Sequence, residues 1–201
     1  MRQFVCLAHD VPTTPDFSLE DLPGGAGRLD AICRSITAAL LRSHGVREET
    51  RIHVVVQDTF TIVLDGGKIT QLHPDERSTA ARIRTALDHR DEAIGAMPAE
   101  PSRGVALYRR GLAETLEAVG DGTIVELHED GDPIVETGLA TASDPVFVLS
   151  DHHDFTAEEA DLLAEAADQR VRLGPTRLHA DQAITVAHHF LDSEGYTRWE
   201  A

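Results

Sequence analysis

The last eighty residues alternate between short apolar runs and helical periods, and this alternation restricts the fold more than any other feature of the chain. Thr123 to Leu127 reads as a strand, Pro145 to Leu149 as a buried strand with the run Val146-Phe147-Val148-Leu149, and Arg170 to Leu173 as a third. Between the second and third, Thr156 and Glu159 form a capping box for a helix to Ala167. A last helix runs from about Ala180 to Leu191 and stops near Gly195. Strands alternating with helices require crossover connections, so the expected fold is α/β, a mostly parallel sheet flanked by helices.

The first half adds strands and helices of the same kind. Arg2 to Ala8 is a strand, followed by the loop Pro12-Thr13-Thr14-Pro15. Leu29, Ile32, Cys33, Ile36, Ala39 and Leu40 recur at helical spacing, and Gly45 stops that helix. Arg51 to Gln57 is a second strand. Phe60–Leu64 and Lys68–Leu72 flank Asp65-Gly66-Gly67 and predict an inserted β-hairpin over about 58–73. Pro74-Asp75-Glu76-Arg77-Ser78 opens a helix to about Arg90, with Asp75 or Ser78 as its cap. Gly95 to Gly104 reads as a loop, Val105 to Tyr108 as a short strand, and Gly111 to Val119 as a helix. With no internal repeat or linker, residues 1–201 are expected to form one domain.

Charge bears on the partners. Asp and Glu number 35 against 18 Lys and Arg, for a net −17, and Lys68 is the single lysine. Such a composition suits a cytoplasm of molar salt, where carboxylates hold water and screening blunts their repulsion. At such salt, net charge does not decide for or against nucleic acid. The distribution is uneven: seven arginines lie between Arg77 and Arg110, whereas Asp121 to Asp168 holds fourteen acids and no Lys or Arg. The middle third is therefore the candidate polyanion surface. No apolar run is long enough for a membrane span or a secretory leader, and Cys6 and Cys33 make neither a disulfide framework nor a metal knuckle. The expectation is a cytoplasmic protein with buried, inert thiols.

Ligands of open parallel sheets bind beyond the carboxyl ends of the strands. The loops after Leu127, Leu149 and Leu173 would converge on one pocket if their strands are neighbours. Neither a dinucleotide fingerprint nor a phosphate-binding P-loop is present, and Gly24-Gly25-Ala26-Gly27 reads as a glycine-rich helix entry. Asp151-His152-His153-Asp154 invites comparison with metal-dependent phosphoesterases. Those enzymes need a second, N-terminal aspartate set, of which His9-Asp10 is the single echo. The histidines His128, His179, His188 and His189 have no ligand spacing, so no metal is expected.

Four segments in order carry a resemblance. Asp21 to Asp30, Pro74 to Ser78, Val148 to His152, and Leu173-Gly174-Pro175 with Leu178-His179-Ala180 resemble the archaeal tRNA pseudouridine(54) N1-methyltransferases, nearly end to end. That family belongs to the SPOUT superfamily. The resemblance implies a C-terminal trefoil knot, here about 123–195, S-adenosyl-L-methionine as cofactor, a homodimer and pseudouridylated tRNA as substrate. It also implies that Leu127, Leu149, Ser150, Leu173, Gly174, Leu178 and Ala183 surround the cofactor. Relatives often have glycine where Ser150 stands and can have cysteine where Ala183 stands.

The implied reaction removes a proton from pseudouridine N1 as that nitrogen attacks a sulfonium methyl. Asp30 and Asp75 are the candidate proton acceptors, with Arg77 as a catalytic partner. Arg28, Arg77, Arg82, Arg84, Arg103, Arg109 and Arg110 are the candidate RNA contacts. The rival readings are methylation of a ribosomal RNA pseudouridine, a metal-dependent phosphoesterase, and a silent binding relative.

Overall fold

The computed structural model describes every residue except Ser143 and Ala201. In chain order its elements are β1 (Arg2–Ala8), α1 (Leu22–Gly25), α2 (Leu29–Leu40), β2 (Leu41–Arg42), β3 (Gly45–Val46), β4 (Thr50–Val56), β5 (Phe60–Asp65) and α3 (Glu76–Asp88). There follow β6 (Ala99–Ser102), β7 (Val105–Tyr108), α4 (Leu112–Ala118), β8 (Ile124–Pro133), β9 (Val146–Leu149), α5 (Ala157–Ala166), β10 (Gln169–Arg172) and α6 (Ala180–Asp192). Short 3₁₀ turns lie at Ile134–Glu136 and Gly138–Thr141.

Eight strands form one sheet in the order β10-β8-β9-β1-β4-β5-β7-β6, while β2 and β3 pair separately. The five strands from β10 to β4 are mutually parallel, and β5, β7 and β6 continue antiparallel. Strands buried on both faces read as near-continuous apolar runs, and β1 and β4 do so because helices cover both sides. Phe4, Cys6 and Ala8 of β1 face α2 and α6, together with Ile52, Val54 and Val56 of β4. Val5, Leu7 and Val55 face α4 and α5, against Leu112, Leu116 and Leu163.

Three strand assignments differ from the sequence reading. The hairpin partner of β5 is β4, across a three-residue turn in which Gln57 and Asp58 take left-handed backbone, φ 46° and 47°. Lys68–Leu72 is not a strand, because β4 and β7 already occupy both edges of β5. Asp65-Gly66-Gly67 turns the chain instead, and Ile69 and Leu72 drop into the core. Ala99–Ser102, expected as loop, pairs with β7 in spite of Pro101, which an edge strand tolerates. The strand expected over Thr123–Leu127 continues to Pro133.

Helix α6 packs against α2 through Ile184, Ala187 and His188. His188 Nε2 donates to the Ala39 carbonyl at 3.0 Å, and its Nδ1 lies 3.2 Å from the Arg2 guanidinium. Burial, with Arg47 and Arg2 nearby, pushes its pKa down to about 3. The unfolded chain takes this proton near pH 6.5 and the folded chain near 3, so stability from neutral His188 falls as pH drops through that interval. The deficit of His188→Gln relative to wild type should therefore narrow between pH 7 and pH 4.5, as read from denaturant midpoints. A constant deficit would show that the buried imidazole exchanges no proton on unfolding.

Candidate active site

The three C-terminal strands do lie side by side, and their carboxyl ends open into a cavity of about 350 Å³. Its shape depends on an interruption in one ladder. Arg170 of β10 pairs with Glu126 of β8, but the next residue, Val171, pairs with Asp132. Residues 127–131 are left out of the pairing and swing out, so Leu127, His128 and Glu129 become a wall. Gly131 closes the detour at the narrowest crossing, where a Cβ would stand 2.5 Å from the Val171 nitrogen.

All seven residues expected around a cofactor line this cavity. Leu127, Leu149, Leu173, Leu178 and Ala183 supply apolar surface, Gly174 supplies backbone, and Ser150 stands at the end of β9. The Ser150 hydroxyl is buried without a hydrogen-bond partner among the described residues. An unpaired buried hydroxyl costs free energy, so it fits a cavity whose ligand carries a donor or acceptor. Apolar side chains next to charged and histidine side chains, among them His128, Glu129, Asp151 and Arg177, suit a ligand with both apolar rings and charged groups, and S-adenosylmethionine is of that kind. The sequence reading missed Arg177, which crosses the mouth to Glu129 and lies 3.3 Å from Asp154. Its charge stands among acids with no helical or strand spacing to signal it.

The expected proton acceptors are both already engaged. Asp30, buried at the head of α2, accepts from Arg28 Nε at 3.1 Å and from Arg34 Nη1 at 2.9 Å. Burial pulls its pKa upward, but these guanidiniums outweigh it and hold the carboxyl below its usual range. Arg34, also unforeseen, continues to Glu76 at 3.0 Å and approaches Asp181 of α6 at 4.0 Å. This chain ties Asp30 to the helix that carries Ala180 and Ala183 into the cavity. Asp75 caps α3, accepting from the Ser78 N–H and hydroxyl at 2.8 Å each, and the backbone bond lowers its pKa.

The arginines divide by position. β7 runs parallel to β4, so Arg109 and Arg110 follow its carboxyl end on the same edge of the sheet as the cavity. Arg109 lies over the Phe60 ring and Arg110 over Tyr108, at 5.0 and 4.1 Å. Arg28 and Arg77 flank the heads of α2 and α3, Arg77 paired with Glu20 at 2.7 Å. Arg82 is spent on the carbonyls of Thr70 and Gln71, and Arg84 is half-buried on the same helix. Arg103 lies in the turn before β7, at the opposite edge, and does not join the others.

Asp151 is not available as a metal ligand in the manner of a phosphoesterase. Its buried carboxylate accepts from the His9 and His153 backbone N–H groups and bonds His9 Nδ1 at 2.9 Å. His9 Nε2 meets Glu159 at 3.1 Å. The Asp151 bond, with Glu159 behind it, raises the His9 pKa to about 9.

A sheet covered on both faces, with a ligand cavity walled by three adjacent parallel strands at their carboxyl ends, defines an α/β protein with its binding site at the carboxyl edge of the sheet. The chain belongs to the family described as "Putative SAM-dependent RNA methyltransferase", which matches residues 1–196. It is 59% identical over 200 residues to the tRNA (pseudouridine(54)-N(1))-methyltransferase of Haloferax volcanii, covering 99% of this chain and 100% of the relative. The protein of the same name from Methanopyrus kandleri is 39% identical, covering 96% and 93%. In fold, the chain is similar to Archaeoglobus fulgidus Nep1 bound to S-adenosylhomocysteine, with TM-score 0.64, 16% identity and 98% of each chain covered.

Gly131→Ala should force β8 and β10 apart at Val171. Overpacking of this kind costs roughly 1–3 kcal/mol. Guanidinium unfolding should show that loss together with weakened cofactor binding, and a wild-type midpoint would mean the crossing has slack.

Proposed function

We propose that this chain transfers a methyl group from S-adenosylmethionine to N1 of pseudouridine 54 in tRNA. The observation that carries this reading is the cavity itself. The residues that the relatives' pattern assigns to the cofactor converge on it from three adjacent strand ends, and the unpaired Ser150 hydroxyl faces it. Relatives matching nearly the whole chain bear that activity in their names.

When bound, S-adenosylmethionine supplies an electrophilic methyl group. Leu127, Leu149, Leu173, Leu178 and Ala183 exclude water from the nucleoside part, and Ser150 with the backbone around Gly174 supplies hydrogen bonds. The target base must leave its stack to reach this depth. Asp30 stays ionised at neutral pH because Arg28 and Arg34 hold it so. An ionised carboxylate of low pKa orients an N–H donor well and is a weak base, so Asp30 fixes the attacking nitrogen, and the N1 proton passes by way of that carboxylate to solvent as the N–CH3 bond forms and the S–CH3 bond breaks. Holding nucleophile and methyl carbon close and in line then supplies most of the acceleration. Arg77, Arg28, Arg109 and Arg110 contact the RNA along the carboxyl edge. Arg82 and Arg84 give weaker support from α3.

The chain path supports a trefoil knot over about 123–195. The connection from β8 to β9 runs on the α6 face, where Ile134 and Leu139 join its core. The connection from β9 to β10 crosses the other face through α5, and α6 then returns to pack against the Gly138–Thr141 turn of the first connection. We further infer a homodimer built on the knot helices, a cytoplasmic location and a reaction that requires no metal. Among the described residues, no helix is long and apolar enough to cross a membrane.

The direct test is transfer of labelled methyl from S-adenosylmethionine, in molar KCl, to tRNA transcripts with and without prior pseudouridylation. Label should appear on the pseudouridylated transcript alone. Label on neither, with cofactor still bound, would move the substrate to ribosomal RNA; absence of cofactor binding would sink the reading. Arg77→Ala should weaken methylation and leave cofactor affinity intact. Ser150→Ala should do the reverse, weakening cofactor binding by a few-fold to about tenfold, the worth of one hydrogen bond. Equilibrium dialysis of labelled cofactor distinguishes the two.

A further inference from the structure

We propose that Asp10, His152 and His153 form a three-ligand site for a zinc-class divalent cation at the rim of the cavity, with a fourth position left to water. Asp10 follows β1 and the two histidines follow β9, strands that pair side by side, so the sheet delivers the ligands from two adjacent loops. His153 Nε2 lies 2.7 Å and His152 Nε2 3.5 Å from the same Asp10 oxygen, and the three candidate ligand atoms all fall within 4.8 Å of one another. Tetrahedral zinc with bonds near 2.0–2.1 Å sets its ligand atoms about 3.3 Å apart. The cluster is thus close to that spacing before any ion arrives.

Two further observations favour a ligand site over a chance meeting of polar groups. Both imidazoles turn to the same Asp10 oxygen with their ring centroids 4.0 Å apart, so one cation among the three groups replaces both contacts at once. Metal-ligating histidines characteristically turn their other ring nitrogen towards a carboxylate. His152 Nδ1 faces Asp151 Oδ2 at 3.6 Å, and Asp151 also accepts the His153 backbone N–H at 2.9 Å. Asp151 is itself buried and bonded by the His9 backbone and ring, so the His153 backbone is anchored through it.

Asp10 is equally constrained. Gly27, at φ 57°, lies against it so closely that a Cβ there would stand 1.9 Å from the Asp10 carbonyl oxygen. The glycine-rich entry to α2 therefore clamps the loop that carries the carboxylate. The surrounding charges also suit a cation: Asp151 and Glu159 lie close by, both in contact with His9, and the guanidinium of Arg177 is paired with Glu129 and Asp154. The site is exposed and reachable from solvent.

Isothermal titration of zinc into the full-length chain, stripped with chelator, tests the assignment. One zinc per chain is expected. His153→Ala and Asp10→Ala should each weaken binding by about tenfold or more, and Asp151→Asn by roughly 10–100-fold through the ligands it orients. Circular dichroism of each variant confirms that it is folded, and cobalt(II) added to wild type should give the visible bands of a four-coordinate site. Absence of zinc binding in the wild type would overturn the proposal. So would affinity undiminished in both Asp10→Ala and His153→Ala, which would place the metal on other histidines.

Discussion

The interrupted ladder between β8 and β10 is the constraint on which the cavity depends. Had Val171 continued the pairing begun by Arg170, residues 127–131 would lie flat in the sheet and the carboxyl edge would offer no wall. An ion pair pins the point of departure. Glu126 is buried, and Arg170 Nε donates to it at 2.9 Å while a second guanidinium nitrogen lies 2.9 Å from its other oxygen. That single charge-assisted hydrogen bond holds the pair, the other carboxylate oxygen being close to the guanidinium without being bonded to it. A slip of one residue would bury Glu126 without its partner, a costly state in a sheet covered on both faces. Register, cavity and burial are therefore one arrangement rather than three.

The same edge shows how the carboxylates are used. Asp30 is held by Arg28 and Arg34, Asp151 by His9, and Asp75 by the first turn of α3. Each of the three is kept ionised by its partners. None is raised towards neutral pH, as a strong general base would need to be. The site is organised for position: loops tied down by charge-assisted bonds, and a cavity of mixed lining into which the unpaired Ser150 hydroxyl is set. Chemistry of this kind suits a reaction in which alignment of nucleophile and methyl carbon matters more than proton removal.

Much of this was legible in the chain. Helical spacing of Leu29, Ile32, Cys33, Ile36, Ala39 and Leu40 gave the apolar part of the buried face of α2, to which the fold adds the polar Asp30 and Ser35. The strand–helix alternation after Thr123 gave the parallel sheet, and the three strand ends gave the cavity. The errors came where local signals and tertiary competition disagree. Asp65-Gly66-Gly67 is a turn, as its residues demand, yet no sheet edge was free for Lys68–Leu72 to join. The true β4–β5 turn uses Gln57 and Asp58 in left-handed backbone, with no glycine to announce it. Arg34 was legible as the i,i+4 partner of Asp30 on α2, whereas its contact to Glu76 and that of Arg177 to Glu129 span 42 and 48 residues and exist only in the fold. Asp10 was read only as an N-terminal echo, since its approach to His152 and His153 exists only once β1 and β9 pair.

Charge segregation completes the argument about how an acidic chain of net −17 meets an acidic substrate. The base-free stretch from Asp121 to Asp168 includes α5, which lies on the sheet face opposite α2 and α3. The arginines at the heads of α2 and α3 and beyond β7 stand on the carboxyl edge, away from that face. Several are already immobilised: Arg28 on Asp30, Arg109 over Phe60, Arg110 over Tyr108. At molar salt the Debye length is only about 3 Å, and counterion release contributes little to binding. Long-range attraction is then absent for any protein, and an acidic far face carries little penalty. What remains is contact at hydrogen-bond range. Pre-ordered guanidiniums lose little side-chain entropy on making such contacts, so a few arginines fixed in place do more than many mobile lysines.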